Sequence, residues 1–559
     1  MTLKNWKTVE TDVLVVGAGA AGLMAAISAG NRTVSVAVKG VGATCMAPGG
    51  IAAVGQWCKE GDSRDLHFKD FVEGGAYLNE QKLVHIVVDE VVQKTIELEK
   101  YGAFWERTDD GKRYLLRNGG GHTYWRSVYC EDHTGREALR ALESEAKRRN
   151  IHVYNNVMVT KLLKENNSVV GATAIDLNFG GFIVFRAKSL VLATGGAGQV
   201  YPYTSQPRGC IGDGYSMALH VGGELIDMEF VQFFPIGLAY PAELKGILCG
   251  TPYYVHLLNA KKERFMAKYD ARMELATRDI ISRAMFKEIH EGRGTPHGGL
   301  YCDATINPPE FFRDQWPSLY DRAKRLGVDL KKDMMEVIPT VHYFMGGIKV
   351  NEKWETTTPG LFAAGEVTGG IHGANRIGQN SLADALVSGS RAGKYAGDYA
   401  ARVEEIALPE DELTKEYERV YGLLTADKNG LRPFEIKEKI HNIMWNKVGI
   451  IRNEKNLRQA LKELKELRAN YIPKMTVTSN SVRSNNEWIE AIGIFFMLDS
   501  AELITKSALF RKETRGAHYR EDYPETNDVE FLAHTSGRIR DEEIKIEKCP
   551  VDLSRISPR

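Results

Sequence analysis

The chain is 559 residues long, too long for one hydrophobic core and suited to about two to four domains. Its 73 Lys and Arg balance 73 Asp and Glu, so no field of one sign marks a partner of nucleic acid or of an anionic membrane surface. With 43% hydrophobic and 26% charged residues the composition excludes a disordered chain, and 54 glycines point to tight turns or close backbone approach to a ligand.

In chain order, residues 12–16 (DVLVV) predict a short buried strand. A glycine turn at 17–22, a small-residue helix from Leu23 and a second strand at 33–38 follow, making a strand–helix–strand unit. Apolar spacings of three and four predict helices over 81–101 and 138–149. Antiparallel strands are expected at 151–163 and 168–176, and a buried strand at 189–194 ends in Gly195, Gly196 and Gly198. The stretch 240–345, richer in Tyr, Pro and charge, interrupts this pattern until LFAAGE at 361–366 resumes it, and reads as an insertion. A helix is expected over 381–402, more helices through 410–510, and an irregular, charged end over 511–559. The organisation expected is an α/β, doubly wound nucleotide-binding domain in two parts, 1–240 and 346–405. An α+β capping domain at 241–345, a helical domain at 406–510 and a C-terminal extension at 511–559 complete it.

The seven cysteines (Cys45, Cys58, Cys130, Cys210, Cys249, Cys302 and Cys549) are scattered, with no C-x2-C pair and no histidine at zinc-ligand spacing. Neither a metal site nor an iron–sulfur cluster is expected in the chain, and the pattern fits a reducing compartment. The N-terminus lacks the succession of a secretory signal, and no apolar run reaches the ~18 residues of a membrane span, so a soluble, cytoplasmic chain is expected.

Gly17, Gly19 and Gly22 form G-x-G-x-x-G between a strand and a helix, where glycines allow the tight turn, close approach to a pyrophosphate and helix-on-strand packing. ATGGAG (193–198) and AAGEVTGG (363–370) are two further glycine clusters after apolar strands, as wrapping an extended dinucleotide would require. The acidic residue usual at the end of the second strand is missing, and Val38 and Lys39 stand there.

Together GAGAAG, PGGIAAV (48–54), ATGGAG, VHYFMGGI (341–348), LFAAGE, HGANRIGQNSLADALVSG (372–389) and RGAHYREDYP (515–524) resemble the flavoprotein subunit of succinate dehydrogenase and fumarate reductase, and its relative L-aspartate oxidase. The resemblance covers nearly the whole chain and accounts for Val38-Lys39, since members often carry Ser-Lys there. It implies FAD, contacted by Gly17, Gly19, Gly22, Lys39, Gly49, Gly50, Ala193, Gly195, Gly196, Asp213, Glu366, Asn380, Ser381 and Leu382. Covalent members bond the flavin to a His before the second Gly-Gly, where this chain has Ala43-Thr44, so noncovalent FAD is expected. His342 and Arg376 match the pair that holds one substrate carboxylate, and Arg278 matches the proton donor.

The rest of the implied site departs from the pattern. Where the family has Gln-Phe-His-Pro-Thr this chain reads Gln232-Phe233-Phe234-Pro235-Ile236. Gly250 and Thr251 stand in place of a Thr-Glu pair, and Phe344 in place of a Thr. A second carboxylate would lose two polar partners, at roughly 1.5–3 kcal/mol each, a discrimination of hundreds-fold. Phe234, Ile236 and Phe344, with Gly250, Thr251 and Tyr254, are therefore expected to form an apolar pocket. The relay Glu is absent too, leaving Thr251, Tyr253 and Tyr254 as substitutes. The expected activity is reduction, or formation, of a C=C bond next to a carboxylate, on a substrate with one carboxylate and an apolar remainder. An iron–sulfur subunit is the expected partner, with membrane contact only through partner subunits. The alternatives are a true fumarate reductase or succinate dehydrogenase flavoprotein, an L-aspartate oxidase-like oxidase, and a non-catalytic electron-transfer module.

Overall fold

The N-terminal β-branched run forms strand Lys7–Val16, whose last four residues are sealed from solvent between parallel neighbours Val34–Val38 and Phe182–Leu192. The chain is described by a computed structural model over residues 6–558, save 251, 309, 326, 330, 331, 405, 406 and 426–428. The main sheet runs His152–Asn155, Val34–Val38, Lys7–Val16, Phe182–Leu192, Ser168–Asp176, Val157–Glu165, and Leu361–Ala363 also pairs with Phe182–Leu192. Two details differ from expectation. The segment 151–163 is two strands, because the chain breaks at Asn156, where φ is +57°. The first piece pairs in parallel with Val34–Val38 and the second antiparallel with Ser168–Asp176. The strand expected at 189–194 spans Phe182–Leu192, because Arg186 and Lys188 break its apolar pattern yet reach Glu10 and Asp12 on the neighbouring strand.

Helix Ala20–Ser28 opens at the first glycine motif and lies parallel to helix Asn380–Ala400. Gly389, Gly393 and Gly397 of the latter face Ala21, Ala25 and Ala29, and a Cβ on any of the three would lie 2.0–2.3 Å from the facing carbonyl oxygen. The two helices thus pack backbone against backbone.

The insertion is built on an antiparallel sheet in the order Val231–Tyr240, Met335–Phe344, Leu300–Asp303, His256–Leu258. Its first strand begins ten residues ahead of position 241, since the apolar run VQFFPIGLA is buried within this sheet. Helix Arg278–Glu288 packs against it, and Phe234, Ile236, Leu257, Ile281, Met285 and Val337 share a core separate from that of the main sheet. Beyond it, helices Glu410–Gly422, Pro433–Lys447, Glu454–Glu466 and Asn486–Phe510 form a helical layer. The end of the chain is not irregular: Ala533–Arg540 and Glu543–Pro550 form a hairpin that adds to Leu225–Ile226 and Gly347–Ile348. Buried ion pairs tie this region down. Arg511 meets Asp227, Glu229 and Glu513, and His534 bridges Asp227 and Glu80.

Candidate active site

A cavity of about 440 Å³ opens where the first strand, both motif helices and the insertion meet. Gly17, Gly19, Lys39, Ala193, Gly195, Asp213, Glu366, Ser381 and Leu382 line it, together with 43–48. Gly17 has φ +108°, and a Cβ there would sit 2.3 Å from Ala193 O, so only glycine fits. Gly22 holds the helix against the turn, since its Cβ would lie 2.0 Å from Gly17 O. Gly49 and Gly50 follow the lining residue Pro48, Gly196 follows Gly195 and Asn380 precedes Ser381. Gly49 and Gly50 face Gln379 and Val128, Gly196 faces Glu366, and Asn380 Oδ1 accepts from His67 Nε2 at 3.1 Å. Lys39 Nζ reaches Asp213 Oδ2 at 2.5 Å, and Asp213 Oδ1, Thr194 Oγ1 and Asn380 Nδ2 are buried without a partner. Burial pushes the Glu366 carboxyl up to about 7, against hydrogen bonds from Phe344 N and Gln206 Nε2. Two helix N-termini, three glycine turns and the orphaned polar atoms of Thr194 and Asp213 around one cavity fit a dinucleotide with an attached ring system.

At the insertion side the lining includes His342 and Tyr343, and Arg278, Arg376 and Phe234 gather around His342. His342 Nδ1 lies 2.9 Å from Ser205 Oγ, which fixes the ring. Burial, then the fields of Arg376 and Arg278, holds His342 well below the usual histidine range, so it is neutral at pH 7. Arg376 is buried over the Tyr343 ring at 4.8 Å and donates from Nη2 to Gln232 Oε1 at 3.0 Å. Gln232 in turn donates to Asn375 Oδ1 and to the Arg376 carbonyl. Burial first, then the charge of Arg278, lowers Arg376 to about 10. Arg376 Nε and Arg278 Nη1 are both buried without a partner. Two guanidiniums facing one neutral imidazole, with orphaned donors, make a site for an anion.

Of the expected apolar residues, Phe234 is the one at this cluster. Its ring is 5.0 Å from the Arg278 guanidinium carbon and 5.5 Å from the His342 ring. Ile236 is fully buried in the core of the insertion, where its carbonyl accepts from Cys249. Phe344 joins the core of the main domain, 6.1 Å from the Tyr215 ring, and so stands apart from Phe234. Gly250, with φ +87°, faces Trp316 and Phe312. Tyr254 turns its ring onto Phe311 at 5.1 Å and is half-exposed. Thr251 lies outside the described residues. Sequence reasoning gave Gln232 no role, although it stands in the quoted QFFPI run. It also passed over Gly120, in the run Gly119–Gly121, whose Cβ would come 3.7 Å from Arg278 Nη2.

A dinucleotide cradle split by an insertion that brings an anion site to one side of it defines a FAD-binding oxidoreductase. Residues 12–382 match the family model of the FAD binding domain, and 437–559 that of the fumarate reductase flavoprotein C-terminus. The chain belongs to the flavoprotein family of fumarate reductase and succinate dehydrogenase, FAD-dependent oxidoreductases acting on CH–CH groups. It is 41% identical to a fumarate reductase (CoM/CoB) chain of Methanothermobacter marburgensis, over 92% of this chain and 95% of that one. It is 33% identical to the succinate dehydrogenase flavoprotein of Rickettsia bellii, over 98% and 96%. A solved quinol-fumarate reductase with menaquinol superposes with a TM-score of 0.92 at 33% identity, covering 99% of this chain and all of that one. Among the described residues no helix is long and apolar enough to cross a membrane.

Proposed function

We propose that the chain reduces, or forms, a C=C bond next to a carboxylate, on a substrate with one carboxylate and an apolar remainder. FAD, bound in the cavity, would supply hydride exchange with carbon. Arg376, oriented by Gln232, offers a guanidinium fork to the carboxylate, and His342, oriented by Ser205, donates from Nε2. Both draw electron density from the alkene and stabilise charge that develops on the carboxylate side. Arg278 delivers the proton to the second carbon. Gathered around His342 at the insertion side of the cavity, these groups would orient the substrate before any bond changes.

The observation that carries the reading is Phe234, an apolar ring set against both Arg278 and His342, where the resembling family places a histidine for a second carboxylate. The name of the 41% identical relative favours fumarate instead. FAD is held without a histidyl bond, since Ala43 and Thr44 line the cavity at the matching place. Electrons pass through an iron–sulfur subunit, and any membrane attachment comes through partner subunits. The test is anaerobic: the reduced flavoprotein is mixed with fumarate, acrylate, crotonate or cinnamate and flavin reoxidation is followed. Reoxidation by a monocarboxylate alone supports the reading, and fast reoxidation by fumarate refutes it.

A further inference from the structure

We propose that Tyr253 passes protons from solvent to Arg278. The proposal rests on the reduction chemistry above, in which Arg278 protonates a substrate carbon. A guanidinium that gives up a proton must recover it before the next turnover, so it needs a neighbour that exchanges protons with water. Arg278, at the start of helix Arg278–Glu288, forms no ion pair among the described residues, and the adjacent Asp279 is engaged with Arg283 at 3.0 Å. Two charged or titratable groups face it from the substrate side, Arg376 and His342, and its charge lowers both. On another side stands Tyr253, in the short helical turn Pro252–Tyr254, the titratable group whose field acts back on Arg278.

The position is fixed by Gly120. A Cβ built there would lie 3.1 Å from Tyr253 Oη and 3.7 Å from Arg278 Nη2, so hydroxyl and guanidinium flank one point, no farther apart than one or two waters span. Gly120 has no positive φ, so its backbone does not demand glycine, and the missing side chain leaves the space between the two groups clear. Tyr253 is 37% exposed, which gives its ring access to water, whereas Arg278 Nη1 is buried. Tyr254 is not placed to act, being turned to Phe311 with its carbonyl held by Asn307 Nδ2 at 2.6 Å.

The proton leg balances. An Nη–H bond of Arg278 breaks as the C–H bond forms, and the hydride for the other carbon comes from reduced FAD, as the family activity supplies. The neutral guanidine takes the hydroxyl proton of Tyr253, and water returns one to the phenolate oxygen. A phenol is a stronger acid than a guanidinium, so the middle transfer runs downhill.

The test uses the holoenzyme, reduced anaerobically, with reoxidation by fumarate, crotonate and cinnamate followed from pH 6 to 9. Tyr253→Phe keeps the ring and should slow reoxidation by the fastest acceptor roughly 30-fold or more, with KM unchanged. Tyr253→His, which restores a proton-exchanging group, should recover part of the rate with a profile moved to lower pH. A wild-type rate and pH profile in Tyr253→Phe would overturn the proposal, as would a slow Tyr253→His with an unmoved profile, the mark of a packing role. If fumarate is the fastest acceptor, the monocarboxylate reading falls while the relay test stands. If no acceptor reoxidises the wild-type flavin, the reduction reading fails and the proposal with it.

Discussion

Replacing Phe234 by His inserts a hydrogen-bond donor beside Arg278 and His342 at the position where the family resemblance implies one. A hydrogen bond to a charged group contributes about 1.5–3 kcal/mol, and each 1.4 kcal/mol is tenfold, so a second carboxylate gains about 10- to 150-fold. The Arg278 guanidinium, 5.0 Å from the present ring, disfavours the charged imidazole, so the new side chain acts as a neutral donor and the gain sits near tenfold. The ring contact with Arg278, about 0.5–2 kcal/mol, is lost for every substrate and cancels in a ratio. The assay is kcat/KM for fumarate divided by that for crotonate, in Phe234→His and in wild type. A rise of about tenfold or more is expected. An unchanged ratio would show that Phe234 does not set the choice of substrate.

Gln232→Leu removes the acceptor that aims Arg376 and should raise KM for the carboxylate substrate by about tenfold or more, with a smaller effect on kcat, in steady-state assays. Acid precipitation should leave the yellow flavin in the supernatant, because Ala43 and Thr44 offer no histidyl bond; colour in the pellet would contradict this. Burial disfavours charge on His534, but Asp227 and Glu80 outweigh it and raise the imidazole to about 10, against an ordinary value near 6.5. A raised folded value means the contribution is whole below about pH 6.5 and fades as pH climbs toward 10, so the thermal midpoint should fall over that interval. His534→Gln should flatten this decline in a pH series of melting curves.

What could be read from sequence was what lies contiguous in it. The glycine turn at 17–22 sits between a strand and its helix and that at 193–198 directly follows a buried strand, and it is this placement, not the spacing alone, that points to a nucleotide. His342, Arg376 and Arg278 were reached through local motifs, and they do converge around one point. Contacts between distant segments stayed hidden: Gln232 with Arg376, or Tyr253 with Gly120 and Arg278, which are fixed only when the insertion folds over the main sheet. Phe344 misled because a strand's faces depend on its bulges, and the pairing of Val231–Tyr240 with Met335–Phe344 shifts register three times. The terminal hairpin escaped because its alternation is mostly of charge, with Ile544 the one buried residue of its last strand.

The glycine contacts between helices Ala20–Ser28 and Asn380–Ala400 act as a caliper. Gly389 sits over Ala21, so the second helix runs ahead of the first by eight residues, a stagger of about 12 Å between their N-termini. Both ends line the one cavity, and backbone touching backbone leaves no slack by which that stagger can drift. Phe234, Gly250, Tyr253 and Arg278 all belong to the insertion instead. The redox end can therefore stay unchanged while the choice of substrate is rewritten on the other wall.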